Sequence, residues 1–329
     1  MNNTLLSVAF IKGRDAIPGK ISCLISAYGS KDNYVNPRAF EEEYLSDEIR
    51  QGKMEVFTGL IEEDKPVVTI SAMKNQRFEK AWEICSLAVC TKYKGQNFGS
   101  RMVDYVMDFF KENNNPLLYA HVVMFFPLIC KACEDNGLVP TGFLFGVCDA
   151  KKHMAGLCCK STKHTWALYV RNNKQSDGET DTLYISRRLN DIINHIYGTL
   201  GIKPLINNDE IKPVKLSFIE YEQDEYHKTL YLYITVGGTD LAEKLNQIEE
   251  NHTGPLQTFI AFLNINDETA IYGYEILSKH GYKFAGLKPL CGEYEYILMT
   301  KTINIIINNA ELQMTDSLKQ LFKRIGELS

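Results

Sequence analysis

Apolar and polar positions alternate along the first 150 residues in a way that predicts strands and helices in turn. LLSVAF (Leu5 to Phe10) reads as a strand, and Ile17 to Tyr28 and Arg38 to Gln51 carry helical apolar spacing, the second closed by Gly52. MEVFTGLIEE and KPVVTISAMK predict two strands around the charged turn Glu63-Asp64-Lys65, and AWEICSLAVC (Ala81 to Cys90) a third. KGQNFGS then leads into a helix over Arg101 to Glu112, with Met102, Val103, Val106, Phe109 and Phe110 on one face. LLYAHVVM predicts a strand, Leu128 to Asp135 a helix ended by Gly137, and GFLFGV (Gly142 to Val147) a closing strand.

Residues 150–164, AKKHMAGLCCKSTKH, interrupt the pattern and read as a linker. Beyond it TWALYVRN predicts a strand and RRLNDIINHIYGTLG a helix stopping at Gly201. KLSFIEYEQ and HKTLYLYITV alternate as strands do, and Thr239 or Asp240 caps a helix running to Glu250. TFIAFLNI, a helix over Glu268 to His280, the strands YKFAGLKPL and YEYILMTK, and a helix over Thr315 to Glu327 complete the chain. The order strand, helix, Gly, strand recurs around Gly137 and Gly281, which implies a structural repeat. The expected organisation is α/β: residues 1–150, a linker at 151–164, and a second unit at 165–329.

Composition narrows the function. The chain has 329 residues, which at roughly 150 per domain makes about two domains, and its 45% hydrophobic and 23% charged content is that of a globular protein. A formal charge of −5 offers no basic footprint for nucleic acid. The most apolar stretch, Leu117 to Cys130, falls short of the ~20 residues a membrane span needs and contains His121 and Pro127. No signal peptide is recognisable, so a soluble cytoplasmic protein is expected. Its nine scattered cysteines read as buried free thiols. Cys130 and Cys133 form a C-x-x-C, and Cys158 and Cys159 are adjacent, with His153 and His164 nearby; a structural metal site needs four convergent ligands, and none is expected here.

The candidate chemistry lies between Glu83 and Arg101. A strand ends, a Gly-containing loop turns, and a helix begins whose first amides have no intrahelical partner; with the positive end of the helix dipole they make a seat for a phosphate. Gly95, Gly99 and Ser100 let an anion approach the backbone, and Lys94 adds a charge at the mouth. The dinucleotide fingerprint G-x-G-x-x-G and the P-loop are both absent.

At these residues the chain resembles the GCN5-related N-acetyltransferase (GNAT) superfamily. YKGQNFGS resembles that family's YRGQGIGS-like loop, with Lys94 where Arg is usual and Asn97 where the first Gly is usual, and EICSLAV resembles its fourth strand. The resemblance implies a GNAT-like mixed central sheet flanked by helices, followed by a second, degenerate GNAT-like α/β domain. It implies direct acyl transfer from acetyl-CoA, with no metal, to a primary amine of a small molecule or peptide. Leu87, Ala88 and Val89 are then expected along the pantetheine arm, and Lys94, Gly95, Gln96, Asn97, Phe98, Gly99 and Ser100 around the pyrophosphate. Glu83 is the expected base, Cys133 stands where the family carries a Tyr acid, and His121 is a further candidate cofactor contact or a core histidine. In the second half, Gly237-Gly238 stands at the loop position and reads as a plain turn, and Leu277 occupies the Tyr place. Two readings stay open beside the enzyme: an inactive acyl-CoA sensor and a structural scaffold.

Overall fold

The computed structural model describes residues 7–62, 64–74, 77, 81–113, 115, 117–125, 127–150, 160–173, 181–252, 254–255, 257–289 and 294–328. His153, Cys158, Cys159 and most of the expected linker lie outside the described residues.

Fourteen strands are present among the described residues: β1 (Ala9–Lys12), β2 (Met54–Ile61), β3 (Lys65–Lys74), β4 (Ala81–Val89), β5 (Leu117–Val123), β6 (Val139–Asp149), β7 (Lys163–Asn172), β8 (Thr182–Tyr184), β9 (Leu205–Asn207), β10 (Phe218–Asp224), β11 (Thr229–Val236), β12 (Gln257–Asn264), β13 (Lys283–Lys288) and β14 (Tyr296–Ile303). The α-helices are α1 (Ile17–Tyr28), α2 (Glu42–Arg50), α3 (Phe98–Glu112), α4 (Pro127–Asp135), α5 (Asn190–Thr199), α6 (Leu241–His252), α7 (Ala270–Lys279) and α8 (Asp316–Gly326). Twelve strands form one sheet in the order β1-β2-β3-β4-β5-β7-β6-β13-β14-β12-β11-β10, and β8 pairs with β9 apart from it. The sequence pattern locates most of these elements. It misses the three-residue strands β8 and β9, too short to show a period, and it starts α3 late, because Phe98, Gly99 and Ser100 were read as loop.

One strand lies where linear reading does not put it. TWALYVRN, read as opening the second unit, belongs to β7, which is inserted between β5 and β6. The order β3-β4-β5-β7-β6 is then repeated as β10-β11-β12-β14-β13, with matching directions: the second pair of each set, β4/β5 and β11/β12, is parallel and the others are antiparallel.

The two sets meet edge to edge where Gly142 of β6 pairs with Gly286 of β13. A Cβ on Gly286 would lie 2.2 Å from Gly142 Cα, and one on Gly142 would lie 2.9 Å from the Ala285 carbonyl oxygen. Only glycine allows this approach, and the φ of +127° at Gly286 is also one that side chains rarely adopt.

A continuous core covers one face of the sheet. Phe98, Met102 and Val106 of α3, Ile192 and Ile196 of α5, Leu241 of α6, Leu277 of α7 and Leu318 of α8 are all buried there, which removes apolar area from water at roughly 25 cal/mol per Å². On the other face α1 and α2 cover only the first strands, through Ile17, Leu45 and Val56. Within that layer α1 carries Lys20, 1% exposed, whose Nζ donates to Ser71 Oγ at 2.8 Å. Burial pushes its pKa down to about 8, opposed by the nearby Cys85 and Cys23.

Lys20 therefore costs stability near neutrality, where the buried amine must be charged. Between pH 8 and 10.5 the folded chain binds fewer protons at this site than the unfolded chain, so its contribution rises with pH in that window and is flat below it. Replacing Lys20 with Met is expected to raise stability at pH 7 by about 1–3 kcal/mol. Denaturant melts at several pH values check this: the gain should shrink as pH climbs from 8 to 10.5.

Candidate active site

The first parallel strand pair stops early. β4 and β5 pair at Ala81–Leu117, Trp82–Leu118 and Glu83–Tyr119, and the pairing ends there. On β4 the register against β3 shifts between Thr69 and Ser71, and Ser86 sits at φ 57°, so an extra residue bends the strand away from β5. β5 stays straight because β7 holds it from Leu117 to Val123. A gap therefore opens beyond Glu83. The corresponding pair in the second set, β11/β12, stays closed from Thr229–Thr258 to Ile234–Leu263.

The loop after β4 folds back on itself at that gap. Tyr93 N–H donates to the Cys90 carbonyl, Gly95 takes φ +82°, and Asn97 takes the left-handed conformation at φ 61°, ψ 15°. Asn tolerates that region, which is how the loop survives without the expected glycine. α3 begins at Phe98, and its first intrahelical bond is donated by Arg101 to the Asn97 carbonyl. The amides of Phe98, Gly99 and Ser100 precede it and have no acceptor within the helix, and the Asn97 side chain does not cap them. Space beside them is open: a Cβ on Gly95 would meet nothing within 4 Å.

A cavity of about 930 Å³ occupies this region. Leu87, Ala88 and Val89 form its β4 wall, and Lys94, Gly95 and Asn97 to Ser100 its polar end. Tyr28, Phe125, Leu128 and Ile129 add apolar surface elsewhere, with Asn33, Lys131, Asp135 and Gln313 among them. Gln96 is exposed and not in the lining, and Phe98 turns its ring into the core, leaving its amide as the group near the cavity.

The equivalent loop of the second set is filled by protein. Gly237 N–H donates to Thr269 Oγ1, Gly238 N–H to Ser217 Oγ, and Thr239 N–H to the Val214 carbonyl. Gly238 is packed so closely that a Cβ would lie 2.4 Å from the Leu216 backbone.

Residues 25–125 match the acetyltransferase (GNAT) family model. This segment is a GNAT acetyltransferase domain. Among solved structures, the ribosomal-protein-S18-alanine N-acetyltransferase of Escherichia coli aligns over 52% of this chain and 96% of its own, at 9% identity and TM-score 0.41. An N-acetyltransferase of Staphylococcus aureus Mu50 aligns over 51% of this chain and 99% of its own, at 10% identity and TM-score 0.41. A spermidine N-acetyltransferase chimera from Vibrio cholerae and hSSAT aligns over 52% of this chain and 97% of its own, at 14% identity and TM-score 0.39. No curated protein sequence matches the chain.

GNAT proteins use acetyl-CoA, and the residues at the GNAT-domain loop fit its pyrophosphate: unblocked helix amides, small side chains and Lys94 at one end of the cavity.

Glu83, the last residue of β4 paired with β5, accepts a 2.9 Å hydrogen bond from His121 Nδ1. His121 thus faces the carboxylate and is not among the residues lining the cavity. Burial pushes the Glu83 carboxyl up, but the charge and hydrogen bond of His121, the ammonium of Lys288 and a hydrogen bond from Tyr119 together hold it below its ordinary value. Cys133 packs among core residues, 7% exposed and outside the cavity lining; burial, with Cys130 and Glu134, pushes its thiol well up.

Lys288, Tyr28 and Trp166 escaped the sequence reading. None sits at a motif spacing, and Lys288 reaches Glu83 only because β13 joins the sheet beside β6. Among the described residues no group of three or more His, Cys, Asp or Glu is placed to hold a metal ion, and no helix is long and apolar enough to cross a membrane.

Gly99 tests the polar end. Its Cβ direction meets only Val89 Cγ2, at an ordinary 3.5 Å, so Gly99→Asp should fold. The new carboxylate at the helix start repels a phosphate, and affinity for coenzyme A is expected to fall at least about tenfold by calorimetry. Ser217→Ala in the filled loop should leave that affinity unchanged.

Proposed function

We propose that the chain is an acetyl-CoA-dependent N-acetyltransferase acting on a primary amine by direct transfer. The observation that carries this reading is the coincidence of three features at one point: a parallel ladder that opens, unblocked helix amides at the mouth of the opening, and a carboxylate at its base.

In this reading the amides of Phe98, Gly99 and Ser100 hold the pyrophosphate, with Lys94 beside them. Leu87 to Val89 flank the pantetheine arm, and their backbone groups orient the thioester. Positioning two reactants supplies much of the rate, and backbone dipoles facing the developing oxyanion supply more. Glu83 takes a proton from the ammonium, held in place by His121 and Tyr119. The free amine then attacks the thioester carbonyl; the N–C bond forms, the C–S bond breaks, coenzyme A leaves as a thiolate, and the new amide nitrogen gives its second proton to solvent, as Glu83 later does with the first. An ordinary thiol has a pKa near 8.5, so the thiolate takes its proton from solvent with little penalty. We assign that step to solvent rather than to Cys133, whose thiol packs in the core.

The repeated strand order supports reading the C-terminal half as a degenerate second copy. With β7 counted in the first copy, the first unit runs to Asn172 and the second begins near Thr182. The closed β11/β12 ladder and filled loop of the second copy leave it without a cofactor seat, so one thioester site per chain follows. A coenzyme A sensor is the second reading, favoured by the missing Tyr at position 133.

Glu83→Gln is expected to lower kcat by about 10²–10⁴-fold while binding acetyl-CoA as the native chain does, read by free-thiol release and calorimetry. Coenzyme A binding with no turnover on any amine in the native chain supports the sensor instead. The carboxylate must be ionised to act, so activity falls as pH drops through its pKa. That acid limb should lie below the ordinary carboxylate range, and His121→Phe should move it upward by removing the hydrogen bond.

A further inference from the structure

Glu83 stands on a sheet face that both halves share. In the register β5/β7, His121 lies opposite Leu168, so Trp166, two residues on, is on the same face; Glu83 lies beside Tyr119 on that face too. From the second set Tyr233 pairs with Phe262, Phe262 with Leu298, and Lys288 with Tyr296, which puts all of these in one apolar cluster or against it.

The sheet curls so that these two stretches confront each other. Lys288 Nζ, on β13, lies 4.3 Å from the Tyr119 ring centroid of β5 and 5.7 Å from that of Phe262. Arg77, between β3 and β4, reaches Glu220 and Glu222 of β10 and lies 4.1 Å over the Tyr233 ring. The Val35 carbonyl contacts His227 Nε2 at 3.2 Å. In this enclosure Glu83 keeps 27% of its side chain accessible while Tyr119, Leu168 and Val170 beside it have none.

Two polar atoms at this place have no hydrogen-bond partner among the described residues: His121 Nε2 and Trp166 Nε1, on rings whose centroids are 6.1 Å apart. Indole N–H can only donate, so it is satisfied by an oxygen. An unmet buried donor costs ~1–3 kcal/mol, which a ligand oxygen recovers. The charged and titratable groups turned toward Glu83 are His121 and Tyr119 on β5, Cys85 on β4, Tyr231 on β11 and Lys288 on β13. Lys288 is itself buried, and Arg77 is held by Glu220 and Glu222.

We propose that the acceptor binds here, between the two halves, and that Lys288 and Trp166 select an amine that also carries an anionic oxygen group, an aminocarboxylate being the simplest. This rests on the acyl-transfer reading above. In this proposal the ammonium goes to Glu83, and the oxygens accept from the Trp166 N–H and lie toward the Lys288 ammonium. A polyamine brings a second cation toward Lys288 and is disfavoured, because like charges brought together out of water repel strongly.

The test uses the full chain with acetyl-CoA and matched amines: phenylalanine against phenethylamine, tryptophan against tryptamine, and spermidine. The aminocarboxylate of each pair should have the higher kcat/KM by at least about tenfold, with spermidine poorest. Lys288→Met should remove that preference through KM for the acceptor, leaving the acetyl-CoA KM unchanged, and Lys288→Arg should restore part of it. Trp166→Phe, which keeps an aromatic ring, should narrow the preference independently. Equal or better use of the decarboxylated partners overturns the proposal while leaving the acyl-transfer reading intact, as does a preference that survives both Lys288→Met and Trp166→Phe. Absence of turnover on every amine overturns both.

Discussion

The working part of this molecule depends on where one parallel ladder stops. A strand pair is most stable when it runs its full length, because every unpaired backbone group must find another partner. β4 and β5 give up that pairing after Glu83–Tyr119, and an extra residue near Ser86 makes the separation permanent. Freed backbone at Leu87 to Val89 then lines a cavity, and the helix that follows points its unpaired amides at the same space. Glu83 gains its position from being the last residue before the strands part, where His121 and Tyr119 on the neighbouring strand still reach it.

The second half shows what happens when the ladder does not stop. Its strands follow the same order and directions, yet β11 and β12 stay paired, and the loop amides after β11 are taken by Thr269, Ser217 and Val214. Those three amides are satisfied by protein groups, so none of them is left to hold an anion. This half contributes instead through its other sheet face. The glycine pair at 142 and 286 lets the two edges touch, and the curl that follows brings Lys288 and Tyr233 toward the first half.

Acyl transfer asks for little covalent chemistry from the protein and much positioning. That fits a site with one well-held carboxylate. Cys133, at the place of the family's Tyr, is among the core residues of α4. In the proposed reading, the loop at Lys94 to Ser100 and the face around Glu83 divide the work between backbone geometry on one side and side-chain chemistry on the other.

Periodicity located most strands and helices, and the strand-to-helix loop from Lys94 to Ser100 was recognisable from sequence, because local spacing and turn chemistry reside in neighbouring residues. Glu83 was legible for the same reason, being tied to that segment. His121 was visible as a residue but not as the partner of Glu83, since pairing across strands has no sequence signature. The insertion of β7 between β5 and β6, the closure of the second ladder, and the placing of Lys288 near Glu83 and of Trp166 beside His121 were decided by the tertiary structure alone. Such contacts join residues far apart in the chain through strand order and sheet curvature, and neither quantity is written in any local pattern.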